Sequence, residues 1–194
     1  SASARNRECL MPFINGKDIN NHPKLEAARW AINFHDWSLD TARKFPELLE
    51  IVESRAAKDT EKLKREKGAD EWWKYARSRP ALYSAIHGQK RVLVRAATSE
   101  LHMMAFLPPG MVYSNALYVF AFDDNYHFGL LQSNVHEVWV RRNASTLRTD
   151  LRYTPTDCFE TFAFPTDPEY QLTENAANTA RQYETHRAQT LIDR

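Results

Sequence analysis

The order of apolar and polar positions divides the chain into helical and extended stretches. Residues 10–17 (LMPFINGK) read as a strand entering a turn, with Asn15-Gly16 as the turn signal. Residues 29–34 (RWAINF) predict a second strand from their aromatic and branched content. Ser38 is a good N-cap for a helical zone, and Pro46 restarts a helix at a tolerated first-turn position. That helix is expected to continue through a charged stretch to about Glu66, where Lys67-Gly68 supplies a stop. Trp72, Trp73 and Tyr75 belong to a short aromatic helix ending before Arg79-Pro80.

From Lys90 the period becomes extended. Residues 91–96 and 102–107 predict strands, the second broken by Pro108-Pro109-Gly110. Residues 117–122 form a near-continuous apolar run, the pattern of a strand buried on both faces. Asp123-Asp124-Asn125 turns into a helix over 126–142, with Phe128, Leu131, Val135, Val138 and Trp139 recurring at spacings of three and four. Residues 147–153 read as one alternating strand, 159–164 as a short aromatic segment, and 176–192 as a polar helix. No internal repeat occurs. The order predicts an α/β fold: a mixed β-sheet flanked by helices, with a long helical excursion in the first half and a C-terminal helix.

A length of 194 residues suits one compact domain. A composition of 43% hydrophobic and 26% charged residues excludes disordered and fibrous classes. The two cysteines, Cys9 and Cys158, are too few for a disulfide framework. No apolar run is long enough to span a bilayer, and no N-terminal targeting pattern is present, so the expected compartment is the cytoplasm, away from membranes. With 26 Lys+Arg against 25 Asp+Glu, the net charge is +1, which argues mildly against a general nucleic-acid binder. The average hides an asymmetry: residues 54–79 hold nine basic and five acidic side chains, and residues 166–194 hold three basic and five acidic.

Candidate catalytic chemistry is sparse. The chain has no glycine-rich dinucleotide turn, phosphate loop or nucleophile elbow. The seven histidines have no partners at metal-ligand spacing, so no metal site is expected. His136-Glu137 reads as a packing or surface pair on a helix, Asp123-Asp124 as a capped turn, and Cys158 as a packed thiol. Polar chemistry concentrates instead in Arg148, Asp150 and Arg152, which alternate and so share one face of the expected strand. An Arg fork matches guanine O6 and N7, and a carboxylate can accept from the cytosine amino group. The same pattern also fits an exposed ion-pair row on a sheet edge.

Residues 128–139 (FGLLQSNVHEVW), followed by Ser145-Thr146-Leu147 and residues 151–165 (LRYTPTDCFETFAFP), resemble the target recognition domain of single-chain adenine-specific DNA methyltransferases. These are the type IIG/IIL restriction–modification proteins. Earlier segments resemble the same family in the same order: residues 12–16, 30–34, 72–80 and Leu82-Tyr83. The family's catalytic tetrapeptide, Asn or Asp followed by Pro-Pro and an aromatic, is absent. The only Pro-Pro, Pro108-Pro109, lies between Leu107 and Gly110. Nor is there a glycine-rich cofactor turn.

The resemblance therefore implies a C-terminal piece of a longer protein, with no catalytic residue and no cofactor of its own. S-adenosylmethionine would belong to the methyltransferase domain of the same parent chain, which could also carry an endonuclease. The expected layout is a recognition domain over 1–165, with a helical insertion at about 38–87, and a spacer helix starting over 166–194. The expected partners are double-stranded DNA and that methyltransferase domain. Expected base readers are Arg148, Asp150 and Arg152, with Ser114 and Asn115 in a second, polar loop. Lys62, Lys64, Arg65, Lys90, Arg141 and Arg142 are the candidate phosphate contacts. A protein-interaction module using Trp72, Trp73 and Trp139, or a freestanding enzyme of unrecognised type, are the alternatives.

Overall fold

A computed structural model describes residues 5–21, 25–58, 71–75, 78–147, 150–166 and 169–192. Its strands are β1 (Leu10–Ile14), β2 (Arg29–Ile32), β3 (Val92–Ala96), β4 (Thr98–Ser99), β5 (Ala105–Leu107), β6 (Val112–Tyr113), β7 (Leu117–Phe120), β8 (Ser145–Leu147) and β9 (Asp150–Arg152). Its helices are α1 (Gly16–Asn21), α2 (Leu39–Ala42), α3 (Pro46–Lys58), α4 (Pro80–Ala85), α5 (Asn125–Gln132), α6 (Asn134–Asn143), α7 (Pro155–Cys158) and α8 (Tyr170–Ile192). The α/β class holds, with helices around short sheets. Among the described residues the strands form three three-stranded sheets, ordered β2-β1-β6, β5-β3-β7 and β4-β9-β8. The first is mixed, because β1 pairs antiparallel with β2 and parallel with β6. Pro12 sits where β1 has β2 alone for a neighbour, a place where a missing N–H is tolerated.

The long strand β3, unlike residues 117–122, is buried at every position. It is the central strand of its sheet, while β7 lies at the edge and keeps two half-buried positions. Alternation on β3 sends Val92, Val94 and Ala96 into one core with Ile14, Ile19 and Leu117. Leu93 enters a second core with Phe120, Phe128, Leu131 and Tyr153. A third core, Cys9, Phe34, Ala42, Phe45 and Leu48, packs α2 and α3 beside the first sheet.

Several boundaries differ from the sequence reading. Asn15-Gly16, the expected turn signal, starts α1 instead. The Asn15 side chain accepts from the N–H groups of Lys17 (2.8 Å) and Asp18 (3.1 Å), and Asp18 accepts in return from the Asn15 N–H (2.8 Å). This reciprocal cap satisfies orphan donors that a turn would leave to water. The helix expected over 126–142 breaks at Ser133, whose backbone is extended and whose hydroxyl accepts from the His136 N–H (3.2 Å). Strand 102–107 is shortened to β5, and the short aromatic segment after α7 begins in turns. Residues 147–153 are not one strand: Leu147 and Asp150 are register partners in an antiparallel pair, so the chain reverses between β8 and β9. The expected extension of α3 to Glu66 lies outside the described residues.

The C-terminal helix α8 lies against α5. A Cβ on Gly129 would stand 3.0 Å from the Ala180 Cβ and 3.3 Å from the Ala176 carbonyl oxygen, so a glycine sets the depth of this crossing. Arg187 donates to the Met104 carbonyl, and Arg91 pairs with Glu184 at 3.3 Å.

Candidate nucleic-acid interface

Two polar elements far apart in sequence meet at Ala97. Its N–H donates to the Ala116 carbonyl (2.8 Å), and its carbonyl accepts from the Tyr153 N–H (2.9 Å). Loop 114–116 is thereby tied to the end of β9. From below, the Ser114 N–H donates to the Ile14 carbonyl (3.0 Å), and the Ser114 hydroxyl accepts from the Ala116 N–H (3.2 Å). Gly16 completes the seat. A Cβ there would be 3.3 Å from the Ala116 oxygen, closer than most side chains allow. Asn115 at the loop tip is exposed, and among the described residues its amide has no hydrogen-bond partner.

The second element is the β8–β9 hairpin with β4. Thr98 and Ser145 flank Arg152 in register, so a cation stands between two short hydroxyl side chains. Alternation buries Leu151 and leaves Arg152 exposed and Asp150 half-buried on the opposite face. Asp150 and Arg152 make no ion pair among the described residues. β9 is also the central strand of its sheet. The edge-strand ion-pair row is therefore not what this segment forms. Arg148 lies outside the described residues.

A buried polar network holds the hairpin. Arg95, fully buried on β3, has its guanidinium carbon 4.5 Å above the Tyr153 ring centre. Its Nη1 donates to His102 Nδ1 (3.0 Å), while His102 Nε2–H donates to the Leu131 carbonyl (2.8 Å). Those two bonds fix a neutral tautomer. Burial, reinforced by the Arg95 charge, pushes His102 down to about 4. His136 shares a 3.3 Å hydrogen bond with the Tyr153 hydroxyl. Burial and the neighbouring His102 lower it to about 3. Desolvation brings Arg95 down to about 10 and raises Tyr153. His136 is thus a packing residue. Cys158 is buried, with its thiol raised by desolvation.

Beside loop 114–116 opens a cleft of about 680 Å³, lined by Phe13, Asn33, Tyr75, Ser78, Arg79, Tyr83, Val112, Tyr113, Ser114 and Asn115. Ser114 and Asn115, candidates from the sequence, line this cleft together with Arg79 and Tyr83, which the sequence did not single out as site residues. Arg79 has φ 54 and ψ 51, a left-handed conformation that costs a non-glycine residue about 1–2 kcal/mol. Its only sequence signal is the following proline, which disfavours right-handed helix at the preceding residue.

The candidate phosphate contacts are not all gathered here. Arg142 is exposed in the last turn of α6, directly before β8. Arg141 is engaged by Glu137 (2.6 Å). Lys90 lies beyond the opposite end of β3 from Ala97, with the five residues of β3, roughly 17 Å of strand, between them. Lys62, Lys64 and Arg65 lie outside the described residues. Among the described residues no group of three or more His, Cys, Asp or Glu could hold a metal ion. No described helix is long and apolar enough to cross a membrane. Trp72, Trp73 and Trp139 are half-buried; the Trp73 indole donates to the Trp37 carbonyl (2.9 Å) within the third core, while Trp139 packs on Phe162.

DNA methyltransferase A of Bacillus subtilis (strain 168) is 33% identical over 79 residues, covering 38% of this chain and 9% of that protein. The type IIL restriction–modification enzyme MmeI, solved in complex with DNA, matches with a TM-score of 0.65 at 20% identity. That match covers 92% of this chain and 23% of the MmeI chain, and it shows a shared fold. This chain therefore spans only a small part of either relative. The family model described as the MmeI target recognition domain matches residues 1–166, and the chain belongs to that family.

Proposed function

We propose that this chain reads a specific sequence in double-stranded DNA on behalf of a single-chain restriction–modification adenine methyltransferase. The observation that carries this reading is the junction at Ala97, whose backbone ties the polar loop 114–116 to the end of β9 on a recognition-domain fold. Asp150 and Arg152 on the hairpin, with Arg148 between β8 and β9, and Ser114 and Asn115 on the loop are the base readers. Arg and carboxylate suit a G·C pair, and Asn suits adenine. Arg142 and Arg141 flank the hairpin as phosphate contacts, and Lys62, Lys64, Arg65 and Lys90 are further candidates. Residues 1–165 form the reading unit, with the helical insertion at about 38–87, and residues 166–194 begin a helical spacer.

The methyl transfer belongs to a methyltransferase domain of the same parent chain, acting in the cytoplasm. The sequence holds no glycine-rich turn for S-adenosylmethionine, and Pro108-Pro109 lacks the preceding amide or carboxylate and the following ring that would hold a target adenine; the Pro108 carbonyl is taken by the Tyr113 hydroxyl (2.6 Å). The reading chemistry needs only hydrogen bonds and apolar contacts to base edges.

Selection from a random duplex library by the purified chain at low salt tests the reading. One enriched sequence is expected, with affinity falling as salt rises. Failure to retain any duplex would reject it.

A further inference from the structure

We propose that Arg79 is an additional base-reading residue, facing a guanine edge from the cleft beside loop 114–116. The inference rests on the DNA-reading function above and extends its surface beyond the loop and hairpin. Arg79 Nη1 reaches the Tyr113 carbonyl at 3.4 Å, in the residue just before Ser114 and Asn115. The guanidinium is thus oriented from one end, and Nε and Nη2 are left to face the cleft with no ion-pair partner among the described residues. Several of its cleft neighbours are spent or apolar. The Tyr83 hydroxyl donates to the Met111 carbonyl (3.2 Å), the Tyr113 hydroxyl to Pro108, and the Asn33 oxygen accepts from the His35 N–H (2.9 Å). Phe13 and Val112 add apolar wall. Among the described residues, Arg79 and Asn115 line this cleft with donors that have no acceptor, beside the Tyr75, Ser78 and Ser114 hydroxyls, and of these Arg79 alone carries a charged fork.

The backbone supports the same assignment. Left-handed conformation at a large, non-glycine residue persists where the surroundings over-determine it, and such positions concentrate at functional sites. Gly would hold this conformation freely, so the arginine bears a backbone cost that glycine would not. Apolar walls displace water, which strengthens each hydrogen bond the fork makes. A planar fork in a cleft without a carboxylate matches guanine O6 and N7.

The test compares Arg79→Gly and Arg79→Lys with the parent chain in the duplex selection. Arg79→Gly keeps the backbone conformation and should fold with an unchanged or raised melting temperature. It should lose discrimination at one guanine-containing position by about ten- to a hundredfold and leave the other positions intact. Arg79→Lys keeps the charge without the fork and should lose the same discrimination. If Lys restores wild-type affinity and Gly weakens all sequences alike, Arg79 is a phosphate contact and the proposal is wrong. Identical selected sequences for all three chains also overturn it. If the parent chain itself selects nothing, it is the DNA-reading function that fails.

Discussion

The guanidinium carbon of Arg95 stands over the Tyr153 ring, 4.5 Å from its centre, in the middle of a core where neither residue touches solvent. Tyr153 is the first residue after β9, and its N–H is the bond that joins the hairpin to Ala97. A buried cation stacked on an aromatic thus sits directly beneath the proposed reading surface. Arg95→Lys keeps the charge to be desolvated but replaces a stacking plane with a strongly hydrated point charge. It should destabilise the fold by about 2–4 kcal/mol, more than Arg95→Met, which removes the charge and fills the space. Urea unfolding of the three proteins measures this. Equal stability of the Lys variant and the parent would show that the stacking contributes nothing.

Acid should unfold the chain earlier than its net charge suggests. His102 and His136 sit near 4 and 3 in the fold, against about 6.5 in the unfolded chain. The unfolded state therefore binds more protons between those limits. The stability held by the neutral rings is complete above pH 6.5 and is lost as the pH falls from there toward 4 and 3. Within that window each histidine contributes a slope of up to about 1.4 kcal/mol per pH unit. His136→Phe preserves a ring among Tyr153 and Phe162 and removes one titrating group. Its melting temperature should fall about half as steeply between pH 6.5 and 4. A parent protein equally stable at pH 7 and pH 4.5 contradicts the buried neutral assignment.

Much of the fold was legible because periodicity reports burial. Ser38 and Asp124 as caps, Pro46 as a helix start, and β3 follow from local chemistry alone. What misled was context that only tertiary contact supplies. Residues 147–153 alternate well enough to suggest one strand, yet their hydrophobic pattern is also satisfied by two short strands on one core. The loop residues Ser114 and Asn115 could be nominated from polarity. Their adjacency to Arg152 could not, because it depends on Ala97, a residue without side-chain chemistry. Arg95 carried no signal of its own within the strand expected over 91–96, and it is buried against Tyr153, 58 positions later.

The crossing of α5 and α8 should respond as a coupled pair. Gly129→Ala brings a methyl against Ala180 and the Ala176 carbonyl, at 3.0 and 3.3 Å before any relaxation. The helix-propensity gain of about 1 kcal/mol is then opposed by a backbone oxygen that cannot swing away. The variant should melt lower than the parent, and Ala180→Gly added to it should recover part of the loss. A double-mutant cycle by thermal unfolding should give a favourable coupling of about 0.5–2 kcal/mol. Strict additivity would mean that the two helices separate at this point in solution.

The hairpin should carry specificity rather than bulk affinity. Asp150 and Arg152 belong to one face of β9, with no ion-pair partners to hold them for structural reasons. Asp150→Asn turns an acceptor pair into a donor and an acceptor, so a cytosine amino group loses one favourable site and alternatives gain one. Arg152→Gln removes the fork that fits guanine and leaves an amide that fits adenine. Each change should cost about 1–3 kcal/mol at one base position and leave the remaining positions as selective as before. Arg142→Gln, by contrast, should weaken every sequence alike and flatten the salt dependence by about one phosphate contact, roughly 0.9 in slope. Duplex selection and binding isotherms at several salt concentrations separate the two behaviours. If Asp150 and Arg152 variants select the parent's sequence, or degrade all positions together, the hairpin is scaffold and the base readers lie elsewhere.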